Sequence, residues 1–312
     1  MKNPWAKSAR GKHAALLDLN PWARAGGSGT ASPAGAGATI ASGEPLAAAR
    51  RAAALSRLAS GVPAWNRWAD AMLALQGPLA GQPASLALWR DLATVDVSGH
   101  IFRQACDCGG AVFPGPVDFA RAHFTDHAWF SAARFLDVAD FSAATFDRDG
   151  VFEQSEFFAA ARFDQTRWSG DAQLRKCRFR REASFRDARF DRAAWFIGSD
   201  FAGALSFSAS QFAGDAGLDQ CDYRGVSDFT LARFRDHAGF DAAHFFAAVR
   251  FDDARFERQA WFQNAWFDAQ ASFDRAQFAG RLNFNDVRLP TKSKVHDMIA
   301  TLEQRLAKGR GG

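Results

Sequence analysis

Phenylalanine recurs along this chain at intervals that alternate between five and six residues. The series runs through Phe119, Phe124, Phe130, Phe135, Phe141 and Phe146 and continues without a slip to Phe284 and Leu289. Counted backward, Phe113, Cys108, Phe102 and Val97 keep the phase. Of the 36 positions so defined, 29 are Phe; the others are Val97, Cys108, Trp168, Leu174, Leu218, Tyr223 and Leu289. Two residues before each lies a smaller side chain, Ala in 20 of the 36 cases, with His100, Leu205 and Leu282 as the clear exceptions. The unit is Ala-x-Phe-x-x, alternately lengthened by one residue, and no insertion interrupts it.

An α-helix cannot use this pattern, because steps of five and six residues advance about 140° and 240° around its axis and scatter the rings. Extended backbone can, since residues two apart share a face. A chain that turns a corner at every step, five and six residues by turns, closes one coil after four sides. Phe and Ala then point inward together, with Ala required beside each Phe because two large side chains per side overfill a narrow interior. Coils stacked at the strand spacing of about 4.8 Å make a rod of roughly 43 Å from nine coils. The fold class read from spacing is therefore an all-β solenoid, in which each coil buries its rings only against its neighbours.

These units, as in Ala139-Asp140-Phe141 followed by Ala144-Thr145-Phe146, resemble those of the pentapeptide-repeat proteins in their Phe-rich form. The resemblance covers about residues 95–289. It implies a right-handed quadrilateral β-helix, here of about nine coils, with flanking α-helical caps. Some members of that family mimic duplex DNA and bind DNA gyrase.

The flanks divide the rest of the chain. Residues 1–45 form a basic arm whose Gly-, Ala- and Ser-rich part, 23–45, reads as disordered. The arm carries two copies of Asn-Pro-Trp-Ala, at Asn3–Ala6 and Asn20–Ala23, which fit either a docking peptide or chance in a biased sequence. Residues 46–94 read as a helical N-terminal cap, which an exposed solenoid end needs. Leu46–Ser60 favours helix ahead of Gly61, and Trp65, Trp68, Met72 and Leu75 recur at helical spacing after Pro63. The string Gly61–Trp68 is also similar to the segment often found ahead of pentapeptide arrays. The array itself spans 95–290. Residues 291–312 read as a C-terminal capping helix on Val295, Met298, Ile299, Leu302 and Leu306, with a dimerisation helix as the alternative.

Nothing in the sequence assembles a catalytic, cofactor or metal site. Cys177 and Cys221 occupy the small inward position two coils apart, about 9–10 Å on strand spacing, too far for a disulfide. Cys106 and Cys108 are also inward, without the His and Cys partners that would complete a four-ligand site. His100 stands alone as an inward histidine, and His123, His127, His237 and His244 lie outside the ladder. There is no glycine-rich phosphate loop, no transmembrane segment of about 18 apolar residues, and no signal-peptide pattern behind the basic N-terminus. Few cysteines and no disulfide framework point to the cytoplasm.

The exterior is more informative. Trp129, Trp195 and Trp261 each precede a ladder Phe and recur every third coil, which predicts a single outward column. Phe158 and Phe246 follow ladder residues on the adjoining side and should also face out. Aligned surface aromatics suggest a binding face, unless they cover corners or flanking segments. The leading functional expectation is a non-catalytic protein-interaction or scaffold module whose partner is another protein or a second copy of itself, with homodimerisation one form of this.

Family resemblance supplies an alternative, a DNA-mimicking modulator of DNA gyrase or another type II topoisomerase. Mimicry needs dense negative charge, and residues 91–290 balance to only −6, diluted by Arg175, Lys176, Arg178, Arg180 and Arg181. A third class is attachment to nucleic acid or a membrane surface through the basic arm, but +7 over residues 1–90 is dilute. Direct nucleic-acid binding by the rod is disfavoured by the same balance.

Overall fold

A computed structural model describes residues 43–290. Residues 1–42 of the basic arm, with both Asn-Pro-Trp-Ala copies, and the segment Val295–Leu306 lie outside the described residues. The array is a parallel β-solenoid of about nine coils built from two-residue strands, with three helices on its N-terminal side.

Its strands form four parallel sheets, three of nine strands and one of eight, in which each strand pairs with its equivalent in the next coil. We call the sides face A (beginning Val95–Asp96), face B (Ile101–Phe102), face C (Cys106–Asp107) and face D (Val112–Phe113) in chain order. Face D gains a ninth rung as an isolated bridge between Trp266 and Arg288. The square closes despite the irregular repeat because the two step lengths make different corners. Five-residue steps lead from A to B and from C to D. Each turns through a left-handed residue two places after the ladder position: 15 are not glycine, and Gly99, Gly110 and Gly198 complete the set. A hydrogen bond closes such a turn, as from the Ala122 N–H to the Phe119 carbonyl at 2.9 Å, the geometry of a type II turn. Six-residue steps make the other two corners without a left-handed residue, and the extra residue is absorbed there.

Inside, the rings form one column per face. Phe119, Phe141, Phe163 and Phe185 stack face to face at 4.9 Å, matching the coil pitch. Rings of opposite faces A and C meet edge to face, as between Phe141 and Phe152 at 5.3 Å. Both arrangements are favourable for aromatic pairs. Ala128, Ala133, Ala139 and Ala144 are fully buried beside them, leaving the rings the room they need.

Helices α1 (Gly43–Ala59), α2 (Val62–Gln76) and α3 (Pro83–Ala93) precede the first coil. α1 begins three residues earlier than the helix-favouring run suggests. Gly61, at φ +80°, supplies the left-handed link into α2. Trp65 is buried against Phe113 of the first coil, ring centroids 5.1 Å apart, and against Trp68. α3 falls inside the span 46–94 read as a helical cap, where the sequence delimits no separate helix; Trp89 holds it to α2 through a hydrogen bond to the Met72 carbonyl at 2.7 Å. Ion pairs tie helices to coils: Arg51 to Asp96 and bidentate Arg90 to Asp137 at 2.7 and 2.9 Å. Hydrogen bonding to Arg90 holds the Asp137 carboxyl below its ordinary range.

Candidate interaction surface

On each side the residues flanking the ladder position project outward, so every face carries columns of side chains repeated at the coil pitch. On face C the column before the ladder reads Trp129, Val151, Gln173, Trp195, Gly217, Gly239, Trp261 in direct register. The three tryptophans share one column, three coils apart, and all are half-buried. Each lies against a neighbour. The Trp129 ring stacks on His127 at 5.6 Å, and Trp261 on His237 at 5.2 Å. Trp195 lies beneath the Arg175 guanidinium at 5.0 Å and spreads over Gly217. A Cβ at Gly217 would stand 2.6 Å from the Trp195 ring, so glycine is what lets the ring lie flat.

Face D presents aromatics more openly. Phe246 and Trp266 are 37 % and 38 % exposed. His244 lies between them, stacked on Phe246 at 3.6 Å and edge-on to Trp266 at 5.0 Å. Arg224 covers Phe246 at 5.0 Å and Arg288 covers Trp266 at 4.1 Å. Phe158, four coils before Phe246 in the same column, is half-buried under Arg134 at 5.3 Å. Trp266 was missed from sequence although it too precedes a ladder Phe; it sits on face D, out of phase with the other three.

Charge is unevenly shared among the faces. Face A carries Asp96, Asp118, Asp140, Asp164, Asp228, Asp252 and Asp274 against Arg162, Arg186 and Arg250. Several are neutralised locally, Asp140 by Arg162 at 3.7 Å, Asp164 by Arg186 at 3.5 Å and Asp228 by Arg250 at 3.2 Å. Burial, together with the charges of Asp96 and Asp140 above and below, raises the Asp118 carboxyl. Face B instead stacks Arg167 on Arg189 and Arg233 on Arg255.

Histidine–aspartate pairs are a second feature that sequence reading missed. His123 meets Asp147 at 2.8 Å and His244 meets Asp268 at 2.7 Å, each pair bridging one coil to the next. Asp215, Asp236 and His237 form a metal-ligand-type grouping among the described residues, with the His237 Nδ1 3.1 and 3.0 Å from the two carboxylates. All three are partly exposed. His100 is half-buried at the first coil, edge-on to Phe102 at 4.6 Å.

Cys177 and Cys221 fill the small inward position of face D as the spacing requires. Each donates its S–H to a backbone carbonyl, of Phe152 at 3.0 Å and Phe196 at 3.1 Å. Burial pushes both thiols up to about 12. They are structural hydrogen-bond donors, the role Ser199 plays between them with its 2.7 Å bond to the Leu174 carbonyl. Among the described residues, no helix is long and apolar enough to cross a membrane.

Comparison with known proteins agrees with this geometry. Residues 109–156, 163–211 and 240–288 match the family model for pentapeptide repeats, nine copies. No curated protein and no solved structure matches the chain. Nine matched copies, on coils with four parallel faces, place it plainly: the chain belongs to the pentapeptide-repeat proteins.

Proposed function

We propose that this protein is a non-catalytic interaction module of the cytoplasm, a stiff rod that docks a protein partner through the aromatic surface of faces C and D. The observation that carries the reading is the exposed pair Phe246 and Trp266 on a rigid sheet, flanked by Arg224 and Arg288. Aromatic and arginine side chains dominate binding energy at protein interfaces, and a preformed β-stack loses little conformational freedom on docking. Trp129, Trp195 and Trp261 extend the surface along face C, and Phe158 extends it toward the N-terminal coils. Four free cysteines, all buried, fit a reducing compartment.

Site-directed photocrosslinking in intact cells tests it. A photoreactive residue at Trp266 should give a discrete adduct that one at Arg189 on face B does not. Equal adducts from both positions, or none from either, would overturn the reading.

The carboxylate excess of face A, which includes Asp118, Asp252 and Asp274, favours a second reading, in which that face substitutes for DNA phosphates on a type II topoisomerase. The test is inhibition of supercoiling by the purified full chain. It should be lost when the three residues are changed to Asn, and an inactive parent protein removes this reading.

A further inference from the structure

Two of the four cysteines are unlike the other two. Cys177 and Cys221 direct their S–H groups at backbone carbonyls. Cys106 and Cys108, at the two inward positions of face C in the first coil, meet each other, Sγ to Sγ 3.8 Å. Cys108 also breaks the ladder, since it stands where Phe130 and Phe152 follow in the next coils and where Leu174 and Leu218 are the smallest other occupants. Cys108 is 1 % exposed, whereas Cys106 keeps 7 % of its surface open, a route to the pair from solvent.

A disulfide suits this geometry poorly. Residues two apart on extended backbone hold their Cα atoms roughly 6.6 Å apart, at the upper edge of the range a disulfide spans. The strand cannot easily bend, because the Cys106 and Cys108 N–H groups donate to the His127 and Trp129 carbonyls at 2.9 and 2.7 Å. A cation between two thiolates, at metal–sulfur bonds of about 2.3 Å, needs sulfurs up to about 4.6 Å apart, within reach by small side-chain rotations. Zinc prefers four ligands, and the three-ligand grouping among the described residues, Asp215–Asp236–His237, belongs to later coils. Soft thiolate ligands select Cu(I), which is satisfied by two in line.

We propose that Cys106 and Cys108 are a binding site for a soft monovalent cation, Cu(I), held between the two sulfurs. Each thiol gives up its proton to solvent as its sulfur–copper bond forms, so one Cu(I) displaces two protons and no electron is transferred. The pair is then a copper site in the first coil, next to the helical cap.

The test is competition for Cu(I) supplied as its complex with a coloured bidentate chelator, under argon, using the reduced full chain. One equivalent should pass from chelator to protein, with a sulfur-to-copper charge-transfer band in the ultraviolet. Cys108→Leu and Cys106→Ala should lose that equivalent, while Cys177→Ala keeps it. Both test variants install residues that the same columns carry in other coils, Leu174 and Ala128, so the fold is retained and circular dichroism checks it. No transfer to the parent protein overturns the proposal. So does undiminished transfer to Cys108→Leu, or air oxidation that removes two hydrogens from a protein that takes up no copper in its reduced state.

Discussion

Asn66 pairs with the open edge of the first coil at Val112: its Oδ1 accepts the Val112 N–H at 2.9 Å. Beside it, Trp65 Nε1 donates to the Val112 carbonyl at 2.8 Å, and Asn66 Nδ2 donates to the Gly110 carbonyl at 3.0 Å. In later coils of face D the equivalent N–H is satisfied by the preceding coil, as when Arg134 donates to the Ala111 carbonyl at 2.9 Å. Val112 has no preceding coil, so two adjacent side chains of α2 take the place of a strand. Asn66→Ala should cost about 1–2 kcal/mol by removing two hydrogen bonds, one of them from the half-buried Val112 N–H. Trp65→Phe, which removes the Nε1–H donor and part of a fully buried ring, should cost about 2–3 kcal/mol. Urea titration followed by circular dichroism measures both.

Phe141 is stacked on Phe119 and Phe163, each at 4.9 Å, and meets Phe130 and Phe152 edge to face. Phe141→Ala is expected to lose about 3–5 kcal/mol through transfer and cavity terms together. Phe141→Leu should lose clearly less, since Leu174 and Leu218 occupy ladder positions fully buried. Equal losses for the two variants would contradict the transfer-and-cavity account and point to ring stacking itself as the source of the stability.

Tyr223 is the one hydroxyl in the ladder. It is fully buried and its hydroxyl finds no partner at hydrogen-bonding geometry among the described residues, with the Cys221 thiol and the Asp219 carboxylate as its polar neighbours. Stacking on Phe201 and Phe245 at 5.4 and 4.5 Å would be retained by phenylalanine. Tyr223→Phe should therefore raise stability by about 1 kcal/mol, because it removes a buried polar group with no partner. A fall in the thermal midpoint would contradict this account.

Leu231 is held at φ +61° in a tight corner and is 58 % exposed. The left-handed conformation costs a β-carbon-bearing residue about 1–2 kcal/mol, and Leu231 gains little burial in exchange. Leu231→Gly is expected to stabilise by about 0.5–1 kcal/mol after the extra chain entropy of glycine is counted. The same change at Ala144, which is buried and not left-handed, should destabilise. Thermal midpoints of the two variants against the parent decide it.

Asp219 gives stability a pH dependence of unusual sign. Burial, reinforced by the charge of Asp241, pushes its carboxyl up to about 7, while its Oδ1 accepts the Asp241 N–H at 2.9 Å. Between about pH 4 and pH 7 the folded chain holds a proton there that the unfolded chain has released, so stability falls as pH rises through that window. It levels off above about 7. Asp219→Asn keeps an acceptor for Asp241 and should flatten this part of the profile, measured as thermal midpoint against pH at constant ionic strength.

Much of the architecture was legible because a solenoid repeats one local decision. Phe119, Phe141 and Phe163 occupy equivalent environments, so their spacing reports the coil directly. Trp129, Trp195 and Trp261 fall in one column because a whole number of coils separates them. The inward setting of all four cysteines followed from the same arithmetic. Spacing also shows that the chain turns, but not how. Left-handed backbone at Arg121 or Leu231 could not be read from residue type, because the stack imposes it on side chains that do not favour it.

The tertiary structure decided whatever depends on side-chain direction and on neighbours in adjacent coils. Trp195 could spread flat only because Gly217 follows it one coil later. Phe246 and Trp266 remain more than a third exposed although Arg224 and Arg288 lie over one side of each ring and His244 packs against both. The Asp118 and Asp219 carboxyls rise through burial against neighbouring coils, and Asn66 becomes a cap only where a coil lacks its predecessor. Period fixes which residues share a column; contacts between successive coils fix what each column presents.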